Sequence, residues 1–227
     1  MKRLAAGVVL AVLSLTACDP IDVGAPPPAP PAKPPPANAA ALLKKLVIAE
    51  EDTGAHYERD EWGEDWVDHG NGCTTRELVL LRQAKNAARG SGCAPDCPDP
   101  AMPCWTSPYD GRATPDAGEL EIDHRVSVKE ASRSRVVTAG KAGPGAARVW
   151  RPEQKHAYYE DQANLVAVTA EVNQAKSDLD AGDWKPATSK AWCDFATRYI
   201  QTKVKYRLSV DRAEHTGLTQ MLGTCRK

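Results

Sequence analysis

Asp123 and His124 are adjacent, and Asn164, Asn173 and Lys176 follow at intervals of forty, nine and three residues. An aspartate carboxylate and an asparagine carbonyl are hard oxygen donors. They can hold Mg²⁺ or Mn²⁺ while leaving some of its waters in place. A neutral imidazole beside them can take a proton from one such water. That combination suits hydrolysis of a phosphodiester.

The elements that must position these groups are legible around them. From Leu120 to Val128 apolar residues recur at Leu120, Ile122, Val126 and Val128, the period of a half-buried strand. Neighbours on a strand face opposite ways, so Asp123 and His124 can serve one site only where the strand ends or bends. The run from Asn164 to Thr169 predicts a partner strand. Thr169 then predicts the N-cap of a helix from Ala170 to about Asp178. On that helix Asn173 and Lys176 stand three apart and share a face. The unit is strand, long connection, strand, helix.

This set resembles the HNH (ββα-metal) nucleases, in the variant whose last histidine is an asparagine. Further residues in the same order resemble secreted bacterial HNH proteins related to the C-terminal nuclease domain of GmrSD-type restriction enzymes. They are Tyr57-x-Arg59, Trp62-Gly63-x-x-Trp66, Cys73-x-Thr75-Arg76, Pro108-Tyr109-x-Gly111, Glu130-Ala131, Trp150, Asp161-x-x-Asn164-Leu165, Trp184, and Cys193 to Cys225. The resemblance covers roughly residues 42–227. It implies an endonuclease acting on DNA or RNA with little sequence choice. Asp123 and Asn173 would hold one divalent ion, Mg²⁺ or Mn²⁺, and His124 would deprotonate the attacking water. Asn164 would orient the loop or the imidazole, and Lys176 and Arg76 would offer charge to the phosphate. For Arg76, pairing with one of the many acids is the equal alternative. Three departures stand out: Ser127 where the family has Pro, Trp62 where it has Phe, and a longer segment at Ser132–Val149. The first is expected to loosen the turn that presents His124.

The chain opens Met1-Lys2-Arg3, continues through the apolar run Leu4–Leu15 and reaches Thr16-Ala17-Cys18. This is a secretory signal, too short to span a bilayer as a mature helix. Leu15-Thr16-Ala17-Cys18 also reads as a bacterial lipobox. Lipidation of Cys18 would anchor the protein to the outer face of the cytoplasmic membrane or the cell envelope, with ordinary signal cleavage as the alternative. Residues 1–17 are then the signal peptide, 18–38 a Pro/Ala-rich extended linker, and 39–227 the domain. Cys73, Cys93, Cys97, Cys104, Cys193 and Cys225 remain, an even number outside the cytoplasm and so three disulfides. The expected pairs are Cys193–Cys225, Cys73–Cys104 and Cys93–Cys97. A zinc site built from Cys73, Cys93, Cys97 and Cys104 is the rival.

Formal charge is −1, and removing Lys2 and Arg3 with the signal leaves −3. This is not the footprint of a tight nucleic-acid binder, though it allows cleavage at a locally basic groove. The expected fold is α+β: an HNH hairpin-plus-helix site embedded in a mostly helical, disulfide-braced, monomeric domain. A helix is expected over Ala39–Glu51, an ambiguous helix or strand from Arg76 to about Arg89, and a flexible loop over Ala139–Ala147. Two C-terminal helices are expected, the second opened by Asp211 and Glu214. His56, His69, His156 and His215 have no metal-type spacing and read as surface residues. The competing class is a non-catalytic surface lipoprotein using the same scaffold for binding.

Overall fold

The structure, a computed structural model, describes residues 39–70, 72–90, 93–99 and 101–225. The signal, Cys18 and the linker lie outside them. Along the chain come α1 (Ala39–Leu43), α2 (Thr75–Gln83), β1 (Ala88–Arg89), β2 (Pro95–Asp96), β3 (Trp105–Thr106), β4 (Ala113–Thr114), β5 (Leu120–His124) and α3 (Val128–Arg133). Then follow β6 (Arg135–Thr138), β7 (Lys141–Gly145), α4 (Ala146–Val149), α5 (Pro152–Tyr159), β8 (Leu165–Thr169), α6 (Ala170–Lys176), α7 (Trp192–Lys205) and α8 (Arg212–Leu222). The protein is α+β, and its described strands form the two-stranded ladders β1–β2, β3–β4, β5–β8 and β6–β7.

The β5–β8 ladder is the centre of the domain. It is antiparallel and in unbroken register from Leu120↔Thr169 to His124↔Leu165. Every residue of β8 is buried, because both faces of the ladder are covered. Leu120, Leu165 and Ala167 pack with Val79 and Leu80 of α2 and with Trp105. Val166 and Val168 face the larger core of Tyr109, Tyr158, Phe195, Tyr199 and Ile200. A strand buried on both sides reads as a continuous apolar run, which is what Leu-Val-Ala-Val is. Gln83 clamps α2 to the strand's outer edge: its amide nitrogen donates to Ala167 O and its carbonyl accepts from Ala167 N.

β5 stops at His124, shorter than the alternation to Val128 suggests, because Ser127 starts a helix. Its hydroxyl accepts from Glu130 N at 3.0 Å and donates to Asp178 O at 3.2 Å. Ser127 therefore caps α3 and ties it to the chain after α6. α6 runs as expected from Ala170 but ends at Lys176, where Ser177 adopts φ +49°. The Thr169 hydroxyl makes no cap; it bonds Asp110 Oδ2 instead.

Three expectations need correction. α1 ends at Leu43, and the β-branched Val47 and Ile48 lie extended beside Val210, with Val210 N donating to Val47 O and Ala49 N to Val210 O. The segment Ala139–Ala147 is no flexible loop. Ala139 and Gly140 both take positive φ, the turn that matches strand twist in a two-residue hairpin, and they join β6 to β7. The disulfides are Cys73–Cys93, Cys97–Cys104 and Cys193–Cys225, so the last pair stands and the other two are exchanged. The cause is the small β1–β2 ladder, which folds Cys93 back toward Cys73 at the start of α2 and sends Cys97 on toward Cys104. Arg76–Arg89 resolves as helix α2 followed by β1, and the Asp211–Glu214 capping box opens α8.

Candidate functional site

Alternation along β5 sends Glu121 and Asp123 toward α6. Asp123 is buried, and each carboxylate oxygen has a donor: Tyr109 Oη to Oδ2 at 2.7 Å and Lys176 Nζ to Oδ1 at 2.9 Å. Lys176, fully buried, also donates to the carbonyl of His124 at 2.9 Å. One helical turn earlier, Asn173 Nδ2 donates to Glu121 Oε2 at 2.7 Å. The shared helix face of Asn173 and Lys176 thus lies against the shared strand face of Glu121 and Asp123. Burial and the Asp123 charge push the Tyr109 phenol well above its usual pKa, so it remains a donor.

His124 lies at the strand's last position with other neighbours. Its ring is stacked on Trp66 at 5.8 Å and packed against Tyr159 at 5.0 Å. Nε2 is 2.8 Å from the carbonyl oxygen of Tyr159. A carbonyl can only accept, so Nε2 carries the proton. Nδ1 then keeps its lone pair, and it has no hydrogen-bond partner among the described residues. Burial pushes this imidazole down to about 3, with the nearby charges of Arg59 and Lys176 acting the same way. The ring is neutral at ordinary pH.

Asn164 is fully buried and serves the backbone. Its Oδ1 accepts from Val126 N and its Nδ2 donates to Val126 O, both at 3.0 Å, while Arg125 N donates to Asn164 O at 2.9 Å. The side chain acts as one more rung beyond the end of the ladder and fixes the turn after His124. Tyr158 Oη adds a bond to Val126 O. The turn of Asp161, whose carbonyl accepts from Asn164 N, sets the asparagine in place.

Arg76 lies at the other end of β5. Its Nη2 donates to Ala117 O and Leu120 O at 3.0 and 2.9 Å, four strand residues and about 13 Å from His124 at the usual rise. The structure gives it the work of bracing the strand, and its Nη1 lies 3.8 Å from Glu77 Oε1, the acid pairing expected as the alternative. Arg82 and Arg125 brace the partner strand, both donating to Leu165 O.

Asp123, Glu121 and Asn173 bring oxygens of the hard-donor kind to the contact of β5 with α6, and a carboxylate oxygen with one donor retains a lone pair. Lys176 already supplies one positive charge there. A second carboxylate group, Glu51, Glu130 and Asp180, brings its oxygens within 4.8 Å of one another. Its charge is answered internally. Lys203 Nζ sits 2.6 Å from Glu130 and 2.8 Å from Glu214, and Arg133 Nε sits 2.7 Å from Glu51 and 3.0 Å from Glu130. These groups tie α3, α7 and α8 together in the core.

Sequence reasoning assigned no role to Tyr109, Glu121, the Tyr159 carbonyl or Arg59. Tyr109 and Arg59 stood in the quoted motifs, but the signal for what they touch is three-dimensional. Glu121 was signalled by its offset of two from Asp123, which puts both on one strand face.

No protein-family model and no solved structure matches the chain. It is similar to a protein named "uncharacterized secreted protein" from Arthroderma benhamiae, with 37% identity over 171 residues that cover 74% of this chain and 76% of the relative. That relative is a secreted protein, in keeping with the export expected from the leader and the paired cysteines. At this identity and coverage the chain belongs to the same family as the Arthroderma secreted protein.

Proposed function

We propose that the exported domain is a metal-dependent nuclease of HNH type, hydrolysing phosphodiester bonds of DNA or RNA with little sequence choice. The observation that carries this reading is the return of α6 onto β5: Asn173 meets Glu121 and Lys176 meets Asp123 across a strand–strand–helix unit. Asp123 and Asn173, with Glu121 behind, would hold one divalent ion, Mg²⁺ or Mn²⁺. When bound, that ion supplies a Lewis acid for the phosphate and its leaving oxygen. His124 takes the proton of the attacking water at Nδ1, because Tyr159 O holds Nε2–H in the complementary tautomer. Asn164 keeps the turn after His124 in register, and Lys176, fully buried, balances the Asp123 charge and holds the His124 carbonyl. Cys18 would carry a lipid that tethers the domain through its linker.

Burial of His124, 5% exposed, and the full set of partners on Asp123 favour a second reading, a binding scaffold without catalysis. Incubating the purified mature domain with supercoiled plasmid separates the two. The nuclease reading expects nicking with Mg²⁺ or Mn²⁺ that stops with EDTA. A plasmid left intact under every metal condition would leave only the scaffold.

A further inference from the structure

Arg59 stands in the most acidic stretch of the chain, with Glu58 and Asp60 on either side and Glu61, Glu64, Asp65 and Asp68 following. Among the described residues it nevertheless makes no ion pair. Two of the acids around it are used by others: His56 Nε2 lies 2.9 Å from Glu58, and Lys155 holds Glu61. A solvent-exposed arginine among so many carboxylates would ordinarily fold onto one of them. Here it does not. The Arg59 carbonyl accepts from Trp62 N at 3.0 Å and Gly63 N at 3.3 Å, making a turn. From that turn the side chain is laid on Tyr159, with its guanidinium carbon 5.1 Å from the ring centroid.

Tyr159 is the residue whose carbonyl fixes His124 and whose ring packs against it. Two cations therefore stand close to the imidazole, and their commitments differ. Lys176 is buried and spends its donors on Asp123 and the His124 carbonyl. Arg59 is exposed and has no carboxylate partner among the described residues; its neighbours are the neutral side chains of Tyr159 and Tyr57. Resting on the phosphodiester reading above, we infer that Arg59 is the phosphate-binding residue of this site, receiving a non-bridging oxygen pair of the nucleic-acid backbone beside His124. A planar guanidinium fork matches two phosphate oxygens, and the face of Tyr159 holds that fork in one orientation. It also resolves the charge problem. A mature chain of net charge −3, with Glu58 and Asp60 flanking Arg59, repels a polyanion unless an unneutralised cation faces it.

The test is metal-free binding of a fluorescein-labelled twenty-base-pair DNA duplex, followed by anisotropy in EDTA across a salt series, with cleavage of the same duplex in Mg²⁺ measured in parallel. Wild type should bind weakly, and Arg59→Gln should weaken binding about tenfold and reduce the slope of log affinity against log salt by about one. Arg59→Lys, which keeps the charge but not the fork, should restore the slope and only part of the affinity. Near-UV circular dichroism should match wild type for both variants. Unchanged affinity and slope in Arg59→Gln, in a protein that binds and cleaves the duplex, would overturn the Arg59 assignment alone. Absence of both binding and cleavage in wild type would overturn the phosphodiester reading beneath it. Arg59-dependent binding to phosphatidylglycerol vesicles in place of DNA would overturn the substrate class.

Discussion

The ammonium of Lys176 sits 2.9 Å from Asp123 Oδ1 and 2.9 Å from the carbonyl oxygen of His124, with no solvent exposure of its own. One side chain of α6 thus fixes both halves of the Asp123-His124 pair. Removing it leaves a buried carboxylate with a phenol as its only side-chain donor among the described residues. Lys176→Met should destabilise the fold by about 3 kcal/mol or more, the usual cost of breaking a buried pair from one side. Mg²⁺ should then raise the melting temperature of the variant more than that of wild type, because it answers the unpaired Asp123 charge. Equal urea midpoints for the two proteins would show that the pair carries no weight.

Gly63 tests the wall behind His124. A Cβ there would meet Cδ1, Cε1 and Cγ of Tyr159 at 2.4–2.7 Å. Gly63→Ala must displace the ring on which Trp66, His124 and Arg59 rest, at about 1–3 kcal/mol for overpacking. Cleavage should fall by more than the loss of folded protein accounts for, measured at a temperature where both proteins are fully folded. Wild-type cleavage by the variant would mean that Tyr159 does not position the site.

The buried charge network sets the alkaline side of stability. Burial, with the charge of Glu130 added, raises Glu51 to about 8, and burial likewise raises Glu214 to about 8 against the pull of Lys203. A carboxyl whose folded pKa is raised stabilises fully below its unfolded value near 4.5, and loses that contribution as pH rises through about 8. Glu130, held well below the usual carboxylate range chiefly by Lys203 against its own burial, acts only at the acid end. Unfolding free energy should therefore fall as pH rises from about 4.5 to about 8, with the share of the half-exposed Glu51 reduced by solvent screening. Glu214→Gln, neutral throughout, should flatten its share. A stability that rises over this interval would contradict the network's protonation.

Non-reducing peptide mapping should recover Cys73–Cys93 and Cys97–Cys104 as separate linkages. Loss of Cys193–Cys225, which spans 32 residues, should cost about 3–4 kcal/mol. Loss of Cys97–Cys104, spanning seven, should cost about 2–3 kcal/mol in the chain-entropy picture. A Cys73–Cys104 product would mean that the β1–β2 ladder does not form.

Much of the centre was legible in the sequence because it is local. The run Leu165–Thr169 is apolar throughout, and the spacing of Asn173 and Lys176 is a helical one, so strand, helix and shared face follow without tertiary information. Ser127 was misread as a weak point because its value lies in reaching Glu130 N and Asp178 O, the latter fifty-one residues away. Arg76 was drawn toward the site by motif order, whereas its donors go to the carbonyls of Ala117 and Leu120. The pairing of Cys73, Cys93, Cys97 and Cys104 was not legible, since spacing alone does not say which way the β1–β2 turn folds. Partners such as Tyr109 for Asp123 depend on where a loop crosses a strand, and no local pattern encodes that.

The central claim is that His124 is the base of a metal-dependent phosphodiesterase, and one comparison tests it most directly. Initial rates of plasmid nicking in saturating Mg²⁺ are measured for wild type and His124→Ala at pH 5 and pH 7. Burial holds the imidazole near 3, so wild type should keep its neutral base at both pH values and show no limb near 6.5, the ordinary histidine value. His124→Ala should lose about 10²–10⁴-fold at both while keeping Mg²⁺ affinity, since Asp123 and Asn173 are untouched. Nicking by His124→Ala at the wild-type rate would contradict the assignment and place the base elsewhere.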